Sequence, residues 1–117
     1  MKRKNIRNIA LATLIVIPTL VLAGTFWKSG KISRIITDSS TSYGKCMIKV
    51  PFAETSGCQA SWISLDCEGK YSNKGDGDRM LNLALIAQNM DKKVSVKIDS
   101  SKKFGNYCVA TRLDILN

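Results

Sequence analysis

Cys46, Cys58, Cys67 and Cys108 tie down a chain too short to rely on its core alone. All four fall within one stretch of 117 residues, and an even count in an oxidising compartment argues for two disulfides. Spacings of 11, 8 and 40 intervening residues lack the close pairs of a structural zinc site, and the chain has no histidine to complete a mixed one. Four cysteines permit three pairings. The expected one joins Cys46 to Cys58 and Cys67 to Cys108, across neighbouring strands. The parity of Cys108 cuts against it, because it is opposite to that of Val109 and Leu113, so a bulge would have to turn it inward.

An oxidising destination agrees with the amino end. "MKRKNIRN" carries four basic residues and no acid, "IALATLIVIPTLVL" is uncharged, and Val21 and Ala23 are the small residues a signal peptidase accepts. Residues 1–23 read as a signal peptide cut after Ala23, leaving 24–117 as one small secreted or periplasmic domain. The rival is an uncleaved anchor over Ile9 to Trp27, 19 residues, which would tie the domain to a membrane. Without residues 1–23 the formal charge falls from +9 to +5, a mildly basic surface with scattered lysines.

Beyond the signal, "KISRIIT" has Ile32 and Ile36 on one face and "KCMIKVP" alternates Cys46, Ile48 and Val50 against Lys45, Met47 and Lys49. "CQASWISLDC" follows, with Ile63, Leu65 and Cys67 opposite Trp62, Ser64 and Asp66. The segment "KGDGDRMLNLALIAQNM" then holds the one helix, expected from about Asp78 to Asn89. Met80, Leu83, Ala84 and Ala87 lie at helical spacing, and Leu81, Leu85 and Ile86 widen the apolar stripe to be buried. Two more strands close the chain: "KKVSVKID", and "YCVATRLDIL" with Val109, Thr111, Leu113 and Ile115 on one face. The order β-β-β-α-β-β is that of the five-stranded Greek-key barrel called the OB-fold. An α+β sandwich is the alternative architecture.

The residues "SWISLDCEGKYS", "DRMLNLALIAQNMDKKVSVKID" and "GNYCVATRLDI" resemble small secreted bacterial proteins that share a Leu-Asp-Cys strand end, an apolar helix, a basic alternating strand and a final Tyr-Cys strand. In layout the chain is similar to the OB-fold B subunits of bacterial toxins of the subtilase cytotoxin and pertussis kind. The resemblance covers about Ser61 to Ile115. It implies a ring of identical or related subunits that binds host glycans, but it carries over no sugar-contacting residue, because those positions match no motif here.

Chemistry of the chain's own has little to stand on. The loop "GDGDR" fails the calcium-hand count, since the twelfth position from Asp76 is Ala87. It also lacks the phosphate-loop patterns. Asp76 or Asp78 is expected instead as a helix cap. The absence of histidine removes the commonest general base. Asp66 with Glu68, or Asp99 with Asp114, could supply paired carboxylates, but acids on the polar faces of strands are far more often solvated or paired with lysine. No enzyme activity, cofactor or metal is expected. Trp62, Tyr71, Phe104 and Tyr107 with Lys102 and Lys103 would suit a nucleic-acid groove, yet export argues against that partner.

The expectation is a non-enzymatic binding domain, of the toxin B-subunit type, that takes a host or envelope glycan and is able to form a homo-oligomer. Its ligand face is expected around Trp62 and Ser64 and at the turn of Lys102 and Lys103. The competing function is a periplasmic or envelope protein, structural or inhibitory, that binds another protein.

Overall fold

Period-two alternation builds the strands of the described residues, and one helix interrupts them. A computed structural model describes residues 23–117, so residues 1–22 of the expected signal peptide or anchor lie outside the described residues. The elements are β1 (Thr25–Lys31), β2 (Arg34–Thr37), a 3-10 turn (Thr41–Tyr43), β3 (Cys46–Lys49), β4 (Trp62–Ser64), α1 (Lys74–Asn89), β5 (Lys93–Phe104) and β6 (Tyr107–Ile115). The described residues are mainly β with one helix, and their six strands form one mixed sheet in the order β1-β5-β6-β4-β3-β2.

The expected first strand, Lys31 to Thr37, is corrected by this arrangement. Lys31 ends β1 and Arg34 begins β2, so the chain passes from one edge of the sheet to the other across Ile32 and Ser33 alone. The break changes parity: Ile35 opposes Ile48 and packs on the core, while Ile36 opposes Met47 on the other face. β1 itself has a readable alternation, with Phe26 and Lys28 half-buried and Thr25, Trp27, Ser29 and Lys31 exposed.

From β2 to β4 the sheet is an antiparallel meander; β5 and β6 form an antiparallel hairpin, and β4 meets β6 in parallel at Ser64 and Val109. The core lies on one face, where Ile48, Val50, Ile63, Leu65, Val94, Val96 and Ile98 are fully buried beneath Met80, Ala84 and Ala87 of α1. β6 departs from the expected face. Lys97 opposes Arg112 and Ile98 opposes Ala110, which leaves Thr111 as the extra residue of a bulge. Cys108 and Ala110 therefore turn inward before the bulge and Leu113 and Ile115 after it, while Val109 and Thr111 face the other way.

The bulge settles the cysteine parity, and the pairing is not the expected one. Cys46 bonds Cys67 and Cys58 bonds Cys108. The Leu65 amide donates to the Cys46 carbonyl, which brings the end of β4 alongside the start of β3 and sets Cys67 beside Cys46. Cys58 instead rides on the 51–61 loop, which folds over β6 through Gln59 N–H to the Asn106 carbonyl.

The helix also starts earlier than expected. Its N-cap is Asn73, in an extended conformation and with no side-chain cap bond, so the expected caps Asp76 and Asp78 are corrected: both lie inside the helix. Asp76 sits in the first turn, where the helix dipole favours a carboxylate, and pairs with Arg79. The buried stripe is narrower than the sequence suggests. Gly77, Met80, Ala84 and Ala87 are buried, whereas Leu83, Leu85, Ile86 and Met90 are exposed. At Gly77 the helix meets the backbone of Leu65 and Asp66 directly.

Candidate functional site

The lead-in to α1 is held by one carboxylate. Asp66, fully buried at the end of the β4 segment, adopts a left-handed backbone (φ 55°) that reverses the chain. Its Oδ1 accepts from the amides of Gly69 and Lys70 at 3.0 Å each. Its Oδ2 accepts from the amides of Tyr71 (2.8 Å) and Ser72 (3.1 Å) and from the Ser72 hydroxyl (3.3 Å). Four successive amides are thus satisfied by one side chain, that of Gly69 being shared with the Asp66 carbonyl at 3.2 Å. The acid weighed for paired-carboxylate chemistry has a structural post, and its bonds fix the entry to α1.

That entry forms one wall of a cleft of about 530 Å³ between α1 and β6. Met80 and Leu83 from the helix and Val109 and Ala110 from the strand make an apolar floor. Ser72, Thr111, Asp76, Arg79 and Lys102 supply the polar lining, with Tyr71 beside them. Thr111, the extra residue of the β6 bulge, is exposed at its rim. Tyr71 is braced, its hydroxyl donating to the Lys103 carbonyl at 2.5 Å and its ring meeting Phe104 edge-on with centroids 5.4 Å apart. Lys70 lies over both rings, 5.2 Å from Tyr71 and 5.4 Å from Phe104.

The four ligand residues expected from sequence are dispersed. Lys102 lines the cleft, where its ammonium stands 4.0 Å from Asp99. Hydrogen bonds from the Ser101 hydroxyl and amide, together with Lys102 and Lys97, hold the Asp99 carboxyl below its ordinary value against the opposing effect of burial. Lys103 points elsewhere, toward the Gly57 carbonyl at 3.5 Å. Trp62 is half-buried on the outer side of the meander, with Lys49 5.6 Å from its ring, and Arg34 follows Lys49 in the same cross-strand row. Ser64 is fully buried: it donates to the Tyr43 carbonyl at 2.7 Å and accepts from the Asp66 amide at 3.1 Å. It is a brace under the 3-10 turn.

Sequence reasoning passed over Thr111, Arg79 and Leu83 as ligand residues. Arg79 and Leu83, four apart on one helix, carry a signal that could have found them; the bulge that exposes Thr111 carries none in a single sequence. Elsewhere Asp114 pairs with Arg112 at 2.9 Å and Asp91 with Lys31 at 3.0 Å. Among the described residues no group of three or more His, Cys, Asp or Glu side chains is placed to hold a metal ion, and no helix is long and apolar enough to cross a membrane. Comparisons with protein-family profiles, curated protein sequences and solved structures gave no match.

Proposed function

We propose that this chain is an exported, non-enzymatic binding domain that holds the end of an acidic glycan in the cleft between α1 and β6. The observation that carries the reading is the cleft's lining. An apolar floor of Met80, Leu83 and Val109 suits the C–H face of a sugar ring, hydroxyls of Ser72 and Thr111 suit its hydroxyls, and Arg79 and Lys102 suit a carboxylate. Two disulfides accord with an oxidising compartment.

The scaffold is an OB-like barrel whose first strand is broken into β1 and β2. Three features support this. The two edge strands are joined by only two residues; β4 and β6 pair in parallel while every other strand pair is antiparallel; and a Cβ built on Gly30 of β1 would stand 3.2 Å from Val50, just past β3.

Glycan-array screening followed by titration calorimetry tests the binding claim. An acidic glycan should bind the wild type, and Thr111→Trp, which fills the cleft mouth from an exposed position, should weaken it at least ~10-fold. Equal affinity in Thr111→Trp would overturn the assignment.

The exposed helix face of Leu83, Leu85, Ile86 and Met90 favours a second reading, an envelope protein that binds another protein or another copy of itself. A concentration-dependent mass in solution, abolished by Leu85→Lys with Ile86→Lys, would support that reading. A glycan signal that survives those substitutions would support the first.

A further inference from the structure

Among the described residues Gly24 is the first tied into the sheet, and Ser100 ties it. The Gly24 amide donates to Ser100 Oγ at 2.8 Å, and the Gly24 carbonyl accepts from the Ser100 amide at 2.9 Å and from Ser100 Oγ at 3.0 Å. Ser100 is only 3% exposed. It lies where β5 leaves its register with β6, between Asp99 and Lys103, so its amide and hydroxyl are free of that ladder and turn to the opposite edge. Thr25 then opposes Asp99, and β1 runs on to Lys31.

Gly24 is also the residue that follows Val21-Leu22-Ala23, the small-residue pattern of a signal cut. We propose that Ser100 is the dock for a processed amino terminus. A signal peptidase hydrolyses the Ala23–Gly24 bond, water giving its hydroxyl to the Ala23 carbonyl carbon and a proton to the Gly24 nitrogen. The new amine keeps N–H groups to give Ser100 Oγ, and its carbonyl bonds are untouched. Ala23 and Gly24 are both exposed and precede the first strand, as a protease that needs an extended segment requires.

The same seating works against an uncleaved anchor. β1 takes Thr25, Phe26 and Trp27 into the sheet, which leaves Ile9 to Gly24, 16 residues. As a helix that is about 24 Å, short of the ~30 Å hydrocarbon core.

Export of the full chain in a bacterium, with intact mass and amino-terminal sequencing of the periplasmic product, tests the cut. The expected first residue is Gly24, and Ala23→Leu should leave the full-length mass. A start downstream of Gly24, or an uncut stable wild-type product, overturns the processing claim. Hydrogen exchange on the processed protein tests the dock: Ser100→Ala should speed exchange of the β1 amides ~10-fold while leaving the cut site and the β5–β6 amides unchanged. Unaltered β1 exchange in Ser100→Ala overturns the dock.

Discussion

A Cβ on Gly77 would stand 2.5 Å from the carbonyl oxygen of Asp66. The helix therefore rests directly on the backbone of the turn that leads into it, with Leu65 O the next nearest atom at 2.7 Å. Backbone cannot step aside as a side-chain tip can. Gly77→Ala should cost ~1–3 kcal/mol by overpacking, more than the ~1 kcal/mol alanine gains in a helix. Gly75, in the same helix, has nothing within 4 Å of its Cβ position, so Gly75→Ala should be neutral or stabilising. Chemical denaturation of both variants checks the pair, and a Gly77→Ala protein as stable as Gly75→Ala would refute the close approach.

Asp66 should be the most sensitive polar residue of the fold. Asp66→Ala strips the acceptor from the Lys70, Tyr71 and Ser72 amides and the Ser72 hydroxyl, while the Gly69 amide keeps the Asp66 carbonyl, with an expected loss of ~3 kcal/mol or more, since unsatisfied donors cost ~1–3 kcal/mol each. Asp66→Asn keeps the shape and tolerates the left-handed backbone, but its NH2 faces two amide donors, so an intermediate loss is expected. By contrast Asp78→Ala, at an exposed position inside α1, should change the melting temperature little.

The contrast between Asp66 and Asp78 shows what was legible. Strand alternation, one helix before the final hairpin, and cystine formation can all be read from residue types, because period and composition are local properties. The helix cap was misplaced because "GDGD" offers two good capping side chains, while the glycine between them is set by contact with a segment eleven residues earlier. β1 was hidden beside the apolar signal run, and its Gly30 dilutes the strand pattern. Ser64 looked like a surface hydroxyl because alternation puts it opposite Ile63; the 3-10 turn that covers it comes from another part of the chain. Of the cleft, only Lys102 was named as a ligand residue, since bulges and helix–strand gaps leave no periodic trace.

Peptide mapping under non-reducing conditions should return Cys46 linked to Cys67 and Cys58 to Cys108. Removing either pair by double serine substitution should cost ~2–4 kcal/mol. Cys58–Cys108, with a sequence separation of 50 against 21, should cost the more, by roughly 0.8 kcal/mol in chain entropy. A Cys46–Cys58 peptide would contradict the fold itself, because β3, β4 and the 51–61 loop would have to rearrange.

Tyr43 donates its hydroxyl to Asp38, and the bond sets a two-sided pH response. Asp38 pushes the Tyr43 hydroxyl up from 10.0 to about 12. The unfolded chain releases that proton first, so the bond's contribution is complete below pH 10 and lost as pH rises toward 12. At the acid end the Tyr43 hydroxyl, helped by the Ser40 amide, holds Asp38 below 3.8. That contribution is present above 3.8 and lost as pH falls through the depressed value. An ultraviolet titration should show a late tyrosine step that Tyr43→Phe removes. A titration unchanged by Tyr43→Phe at its alkaline end would refute the pairing.

The cleft is the central claim, and amide chemical-shift mapping during titration with acidic oligosaccharides tests it most directly. Shifts should concentrate on Ser72, Arg79, Leu83, Lys102 and Thr111, saturate together, and need at least ~10-fold more ligand in Thr111→Trp. Shifts centred instead on Trp62, Lys49 and Arg34, or confined to Leu85, Ile86 and Met90, would contradict a glycan site between α1 and β6.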